Sequence, residues 1–148
     1  MPLEPFDRIC PEIARAERHV CDVNSPVLGV PLGPYVLREF YCTEPGCDCR
    51  RVLVQLVPLN EASLRVVASV NFGWETAKYY RKWSRDPELW REMAGATLEP
   101  FAEQGAQARC FLELFKKAIR APNLVMHFRR HYRLVKEATD PDRARDQG

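Results

Sequence analysis

Residues 35–57 read YVLREFYCTEPGCDCRRVLVQLV, and this stretch indicates the fold class of the chain. Residues 35–42 and 51–57 are rich in aromatic and β-branched side chains, so each run predicts a β-strand. Between them lies Pro45-Gly46, a pair typical of turns because glycine adopts positive φ without steric cost. The stretch therefore predicts two antiparallel strands joined by a loop.

A third strand is predicted downstream of this hairpin. Residues 64–72 alternate between apolar and polar side chains, which is typical of a strand with one buried face. Pro58 and Asn60 supply the turn that precedes it. The side chains expected on its core-facing side are those of Leu64, Val66, Ala68, Val70 and Phe72.

The second half of the chain is predicted to be helical. Asp86-Pro87 is a strong helix start, because Asp caps the first turn and Pro fits the first helical position. Apolar residues recur at helical spacing over 101–120, and a further helix is predicted from Asn123 to about Glu137. The fold class predicted is α+β, with a three-stranded antiparallel sheet and several C-terminal helices packed on it.

The length and composition fit one globular domain: 148 residues, 46% hydrophobic, 28% charged and a net charge of +2. Residues 1–34 are expected to form a helix over 11–20 and a Pro/Gly-rich connector, and residues 139–148 a polar tail. The N-terminus lacks the apolar region of a signal peptide, and no apolar stretch approaches the roughly 20 residues of a membrane span. We therefore expect a cytoplasmic protein that does not engage a membrane.

Three of the six cysteines cluster at the end of the first predicted strand and in the loop that follows it. Cys42, Cys47 and Cys49 have the spacing C-x4-C-x-C, whereas the other three are scattered. Closely spaced thiolates in a β-turn are typical of structural zinc sites, which hold Zn²⁺ in a tetrahedron of ligands. Two alternatives remain open, namely ordinary free thiols and a redox pair formed by Cys47 and Cys49.

A tetrahedral zinc site needs a fourth ligand, and the chain has three histidines. His127 and His131 are four residues apart and lie on neighbouring turns of the last predicted helix. His131 borders the apolar face of this helix, so we expect it to be the fourth ligand, with His127 as the second choice. The pair His19-x-Cys21 is a weaker candidate. In this arrangement Zn²⁺ joins the predicted hairpin to the last helix.

The cysteine motif also carries a resemblance. Residues 40–52 place an aromatic residue and Cys42 four residues before Cys-Asp-Cys-Arg-Arg and a strand. This pattern resembles a small family of uncharacterised bacterial proteins, with weaker matches at residues 73–75, 80–83 and 131–132. The family carries no established activity, so the resemblance implies a shared fold and, with it, a shared site.

The sequence shows no recognisable catalytic arrangement. It lacks a supported Ser-His-Asp grouping, a phosphate-binding glycine loop and a His-Glu-x-x-His motif. We therefore predict a non-catalytic, zinc-stabilised binding or interaction domain, whose protein partner is left open. The alternative is a metal-dependent or thiol-redox enzyme that uses residues 42–49. A third hypothesis is nucleic-acid binding through the basic segment 114–136, whose solvated face is expected to carry Arg129, Arg130, Arg133 and Lys136.

Overall fold

The two strands predicted within residues 35–57 lie at the centre of a six-stranded antiparallel sheet. The computed structural model describes residues 2–26, 29–62 and 64–140. The strands are β1 (Leu3–Pro5), β2 (Val20–Val23), β3 (Gly33–Cys42), β4 (Arg51–Pro58), β5 (Ala68–Gly73) and β6 (Gly95–Leu98). β3 pairs with β4, β4 with β5, and β5 with β6. The α+β class with an antiparallel sheet is confirmed, whereas the prediction of three strands is wrong.

The three strands that the sequence pattern did not reveal are short. β1, β2 and β6 contain only three or four residues each, which is too few for an alternating pattern to stand out. β1 and β2 lie end to end along one edge of β3, with Leu3 opposite Cys42 and Val20 opposite Val36. Residues 1–34 thus contribute two strands to the sheet, rather than only a helix and a connector.

The third predicted strand begins later than its alternating pattern suggests. Leu64, which the pattern places on the core face, is 87% exposed. Val66 and Val67 are consecutive and both buried, so buried and exposed side chains do not alternate in the residues before β5. The backbone of Val67 lies between two other segments, because its N–H donates to the carbonyl of Leu56 at 2.9 Å and its carbonyl accepts from the N–H of Gly105 at 3.0 Å.

The helices are α1 (Phe6–Ile9), α2 (Pro11–Ala16), α3 (Ala77–Tyr80), α4 (Pro87–Met93), α5 (Ala108–Ala118) and α6 (Pro122–Thr139), with a 3₁₀ turn at Arg81–Trp83. The start of α4 is confirmed, since the Asp86 carboxylate accepts from the backbone N–H of Glu88 at 3.0 Å. The helix predicted over 101–120 begins only at Ala108. The side chain of Gln104 binds the backbone N–H and carbonyl of Ser69, so the preceding loop is held against β5.

Aromatic contacts join α5 and α6 to the sheet. The ring of Phe72 on β5 lies 5.8 Å from that of Phe115 on α5 and 6.0 Å from that of Phe128 on α6. The ring of Tyr35 on β3 contacts Phe111 on α5 at 4.9 Å. These buried rings fix the position of α6, which carries both predicted histidine ligands.

Two expectations concern the remaining parts of the chain. α6 ends at Thr139, and residues 141–148 of the predicted polar tail lie outside the described residues. Across the described ranges, no helix combines the length and the apolar character needed to cross a membrane.

Candidate metal centre and a neighbouring histidine–glutamate cluster

The structure brings the three clustered cysteines together. Cys42 is the last residue of β3, and Cys47 and Cys49 lie in the loop that leads to β4. Their three sulfur atoms lie within 4.8 Å of one another. Cys42 and Cys49 are buried, whereas Cys47 is partly exposed. Three thiols at this separation can bind one metal ion.

The conformation of the loop explains how three sulfurs converge within eight residues. Gly46 has a φ of 77°, as expected for the Pro45-Gly46 turn. The N–H of Cys47 donates to the carbonyl of Glu44 at 3.2 Å and closes that turn. Two backbone N–H groups point at sulfur: that of Glu44 lies 3.4 Å from Cys42 Sγ, and that of Arg51 donates to Cys49. Such donors stabilise a thiolate more than a thiol, because a hydrogen bond to the charged form favours that form.

Burial opposes ionisation of the Cys47 and Cys49 thiols when no cation is present. Burial, followed by hydrogen bonding and repulsion from Cys42, raises the pKa of Cys47. Burial, followed by repulsion from Cys47 and Cys42, raises the pKa of Cys49 to about 12. Three thiolates so close together therefore need a nearby positive charge, and a divalent metal ion supplies it.

Lys136 supplies a further positive charge beside the thiols. Its side chain is 1% exposed, although the sequence places it on the solvated face of α6, and that prediction is wrong. Its Nζ lies 3.5 Å from the carbonyl of Glu44 and 5.4 Å from the centre of the Tyr132 ring. Within residues 2–26, 29–62 and 64–140 it forms no ion pair with a carboxylate. Its charge favours the thiolate forms of Cys47 and Cys49.

Tyrosines from two helices hold the rest of the loop in place. The hydroxyl of Tyr132 on α6 donates to Asp48 Oδ1 at 3.1 Å, and that of Tyr79 on α3 donates to the Asp48 carbonyl. The hydroxyl of Tyr80 donates to the carbonyl of Arg50 at 2.9 Å. The guanidinium of Arg50 binds both carboxylate oxygens of Asp48. Asp48 is therefore engaged by protein groups on both oxygens and is not a metal ligand in this arrangement.

The structure does not bring His131 to the cysteines. Its Nδ1 lies 2.7 Å from Glu39 Oε1 and its Nε2 lies 3.1 Å from Glu17 Oε1, so both ring nitrogens are occupied. The second choice, His127, lies in the same place, with Nε2 2.8 Å from Glu39 Oε2. A helical wheel shows which residues share one face of α6, but it does not show which turn of the helix lies beside which part of the sheet. The turn beside the thiols contains Lys136, not His131.

A second cluster thus forms on β3 and α6 around a buried carboxylate. Glu39 is 6% exposed and accepts three hydrogen bonds. Two come from His127 and His131, and the third comes from the hydroxyl of Tyr41, which lies 2.5 Å from Glu39 Oε1. Burial raises the pKa of Glu39, but hydrogen bonds from His127 and His131 outweigh it and the pKa is lowered. The bidentate hydrogen bond from Arg130 lowers the pKa of Glu17 to about 2.

Sequence reasoning missed both glutamates. A signal for Glu39 was present, because it lies between Leu37 and Tyr41 on the side of β3 whose other members are buried apolar residues. A carboxylate at such a position must have buried partners. Glu17 carries no comparable signal, because it follows α2 directly and is close to α6 only in the folded chain.

The remaining cysteines and the third histidine lie outside the thiol cluster. Cys10, Cys21 and Cys110 are free and partly buried. The ring of His19 lies 5.8 Å from that of His127, so all three histidines of the chain are close to one another. The His19-x-Cys21 pair does not meet the clustered thiols.

Comparisons with known proteins identify no relative. No family model matches this sequence, and no match was found among the curated proteins or the solved structures. The resemblance of the cysteine motif to a bacterial family therefore stays a prediction, and function must be inferred from the site itself.

Proposed function

We propose that Cys42, Cys47 and Cys49 bind one Zn²⁺, and that this chain is a zinc-stabilised binding or interaction domain. The observation that carries the proposal is the convergence of three sulfurs within 4.8 Å. Buried Lys136, which has no carboxylate partner among the described residues, lies beside them. Three thiolates are a ligand set that favours zinc among the divalent ions of the cell.

The charges of the site support a bound ion. Three thiolates and Zn²⁺ have a net charge of −1, and the ammonium of Lys136 brings the sum to zero. Burying a lone ammonium is costly, and so is ionising buried thiols. When the ion is bound, the attraction between the ammonium and the negatively charged zinc–thiolate group offsets both costs. The N–H groups of Glu44 and Arg51 add hydrogen bonds to two of the sulfurs.

The place of the cluster in the fold supports a structural role. The three cysteines bracket the loop between the two central strands, and the tyrosine contacts of this loop reach α3 and α6. An ion here holds the loop to which both helices are anchored. Binding free energy of a structural zinc ion contributes directly to folding.

Among the residues that the structure describes, no His or carboxylate joins the three cysteines as a fourth ligand. Cys47 is the partly exposed thiol, so the ion is closest to solvent on this side. We infer that water or a ligand atom from a protein partner completes the tetrahedron, which is consistent with an interaction domain.

The test is the metal content of the purified chain, measured by inductively coupled plasma mass spectrometry without a His-tag or chelator. We expect about one zinc per chain at the thiol cluster, lost in Cys47→Ser together with a lower melting temperature. Cys21→Ser is the matched control, because Cys21 is partly buried and lies outside the cluster. Equal metal content and melting temperature in Cys47→Ser and the unchanged chain would overturn the proposal.

The pKa directions favour this function over the thiol-redox alternative. A thiol nucleophile needs a lowered pKa, whereas burial raises the pKa values of Cys47 and Cys49. Alkylation rates measured against pH on metal-free protein separate the two functions. A thiol that is already ionised at neutral pH would favour the redox enzyme.

A further inference from the structure

We propose a second metal site, formed by Glu17, His127 and His131, that binds a divalent first-row transition ion independently of the cysteine cluster. One ligand atom from each of these three residues lies within 4.8 Å of the other two. Two imidazoles and one carboxylate are a recurrent ligand set for zinc, iron(II) and manganese(II), and they leave further positions of the ion open.

The separation of the ligand atoms of His131 and Glu17 fits an ion bound by both. His131 Nε2 and Glu17 Oε1 lie 3.1 Å apart. Two ligands at roughly 2.0–2.1 Å from a tetrahedral ion lie ~3.3–3.4 Å from each other, so insertion of an ion requires a shift of a few tenths of an ångström. The rings of His127 and His131 have centres 4.0 Å apart on neighbouring turns of α6.

Glu39 holds His131 as a second layer around a metal does. Its Oε1 lies 2.7 Å from His131 Nδ1, which leaves His131 Nε2 directed at Glu17. Its Oε2 fixes the His127 ring, and the stacked ring of Phe6, 4.0 Å away, further restricts His131. Metal-binding histidines commonly donate their other nitrogen to a carboxylate in this way.

The site has access to solvent. Glu17 and His127 line an open groove of about 900 Å³. The side chain of His127 is 15% exposed and that of Glu17 is 31% exposed, whereas His131 is buried. The open positions of the ion therefore face the groove. This arrangement differs from that of the cysteine cluster, where two of the three ligands are buried.

The competing explanation is an ion pair without metal. In that case His131 is protonated on both nitrogens and donates to Glu39 and Glu17, with Arg130 also bound to Glu17. A metal ion would replace only the proton on Nε2 and keep the bond to Glu39. The two explanations share one geometry and differ in whether the cluster takes up a metal.

Cobalt(II) titration of the metal-free full-length chain separates them. Cobalt bound to thiolates gives an intense charge-transfer absorption in the near ultraviolet, and cobalt bound to histidine and carboxylate does not. We expect two equivalents of Co²⁺ per chain, one with this absorption and one without. Glu17→Gln and His127→Gln should each lose the second equivalent and keep the thiolate absorption.

His19→Gln is the matched control, because His19 is next to His127 but outside the ligand group. It should bind both equivalents. Circular dichroism melting shows whether each variant is folded. If a variant unfolds, the proton NMR spectrum of the unchanged chain loaded with Co²⁺ tests the second site instead. Co²⁺ bound by His127 and His131 must produce strongly shifted histidine N–H signals, and their absence would overturn the second site.

Uptake of one equivalent only, with the thiolate absorption, would overturn the second site and leave the first. Equal uptake by Glu17→Gln, His127→Gln and the unchanged chain would also overturn it. Uptake without any thiolate absorption would instead overturn the zinc site proposed for the cysteines.

Discussion

Replacing Glu39 by Gln tests the energetic importance of the buried carboxylate on β3. The change keeps the shape of the side chain but removes the charge that accepts hydrogen bonds from Tyr41, His127 and His131. A hydrogen bond to a charged group contributes about 1.5–3 kcal/mol and one between neutral groups about 0.5–1.5 kcal/mol. The substitution therefore weakens each of the three hydrogen bonds by about 1 kcal/mol. For three bonds the loss is about 3 kcal/mol, and removal of a buried charge offsets part of it.

We therefore expect Glu39→Gln to lower the free energy of unfolding by about 2–3 kcal/mol, or the melting temperature by about 5–10 °C. Urea denaturation of metal-free protein at pH 7, followed by circular dichroism, measures the difference. Asp7→Asn is the control, because it removes an exposed carboxylate from an ion pair with Arg38. Exposed pairs contribute only about 0–1 kcal/mol. If Glu39→Gln costs no more than this control, the reasoning about the buried carboxylate is refuted.

Three further predictions concern single positions. Lys136→Met should weaken zinc binding about tenfold, or ~1.4 kcal/mol, because it removes the positive charge beside the thiolates. It should also stabilise the metal-free chain, because a buried ammonium next to neutral thiols is unfavourable. Zinc competition with a chromophoric chelator measures the first effect and thermal melting the second, and an unchanged zinc affinity would contradict the charge argument. Gly73→Ala should destabilise the chain by about 1–3 kcal/mol, since its Cβ would overlap the backbone carbonyl oxygen of Met93 and lie 2.5 Å from Tyr80 Oη. A melting temperature equal to that of the unchanged chain would contradict this packing argument. Asp86→Ala should cost about 1 kcal/mol in urea denaturation through loss of the cap on the Glu88 N–H, and a cost of zero would argue against that hydrogen bond.

The central hairpin was predictable because its signals are local. The β-branched and aromatic runs at 35–42 and 51–57 lie inside β3 and β4, and the helix start at Asp86-Pro87 depends on adjacent residues. The short strands β1, β2 and β6 were not predictable in this way. Their three or four residues pair with neighbours that are distant in the chain, so no local pattern marks them.

The candidate site was predictable in part for the same reason. Cys42, Cys47 and Cys49 lie within eight residues around a glycine turn, so their convergence follows from the loop. The placement of His131 depends instead on where α6 lies along the sheet. The helix periodicity correctly makes His131 face inwards, but it contains no information on which strand residue it meets.

The amino-acid sequence alone thus fixes the two central strands, the turn at Gly46 and the proximity of three thiols, because each depends on contacts within a few residues. The tertiary structure alone places Lys136 beside those thiols and brings Glu17 and Glu39 to the histidines of α6, across as many as 114 positions of sequence. The physical reason is that packing of buried rings, such as Phe128 against Phe72 and Phe115, sets the position of α6 on the sheet. The contacts of His131 with Glu17 and Glu39, and that of Lys136 with the carbonyl of Glu44, follow from this packing.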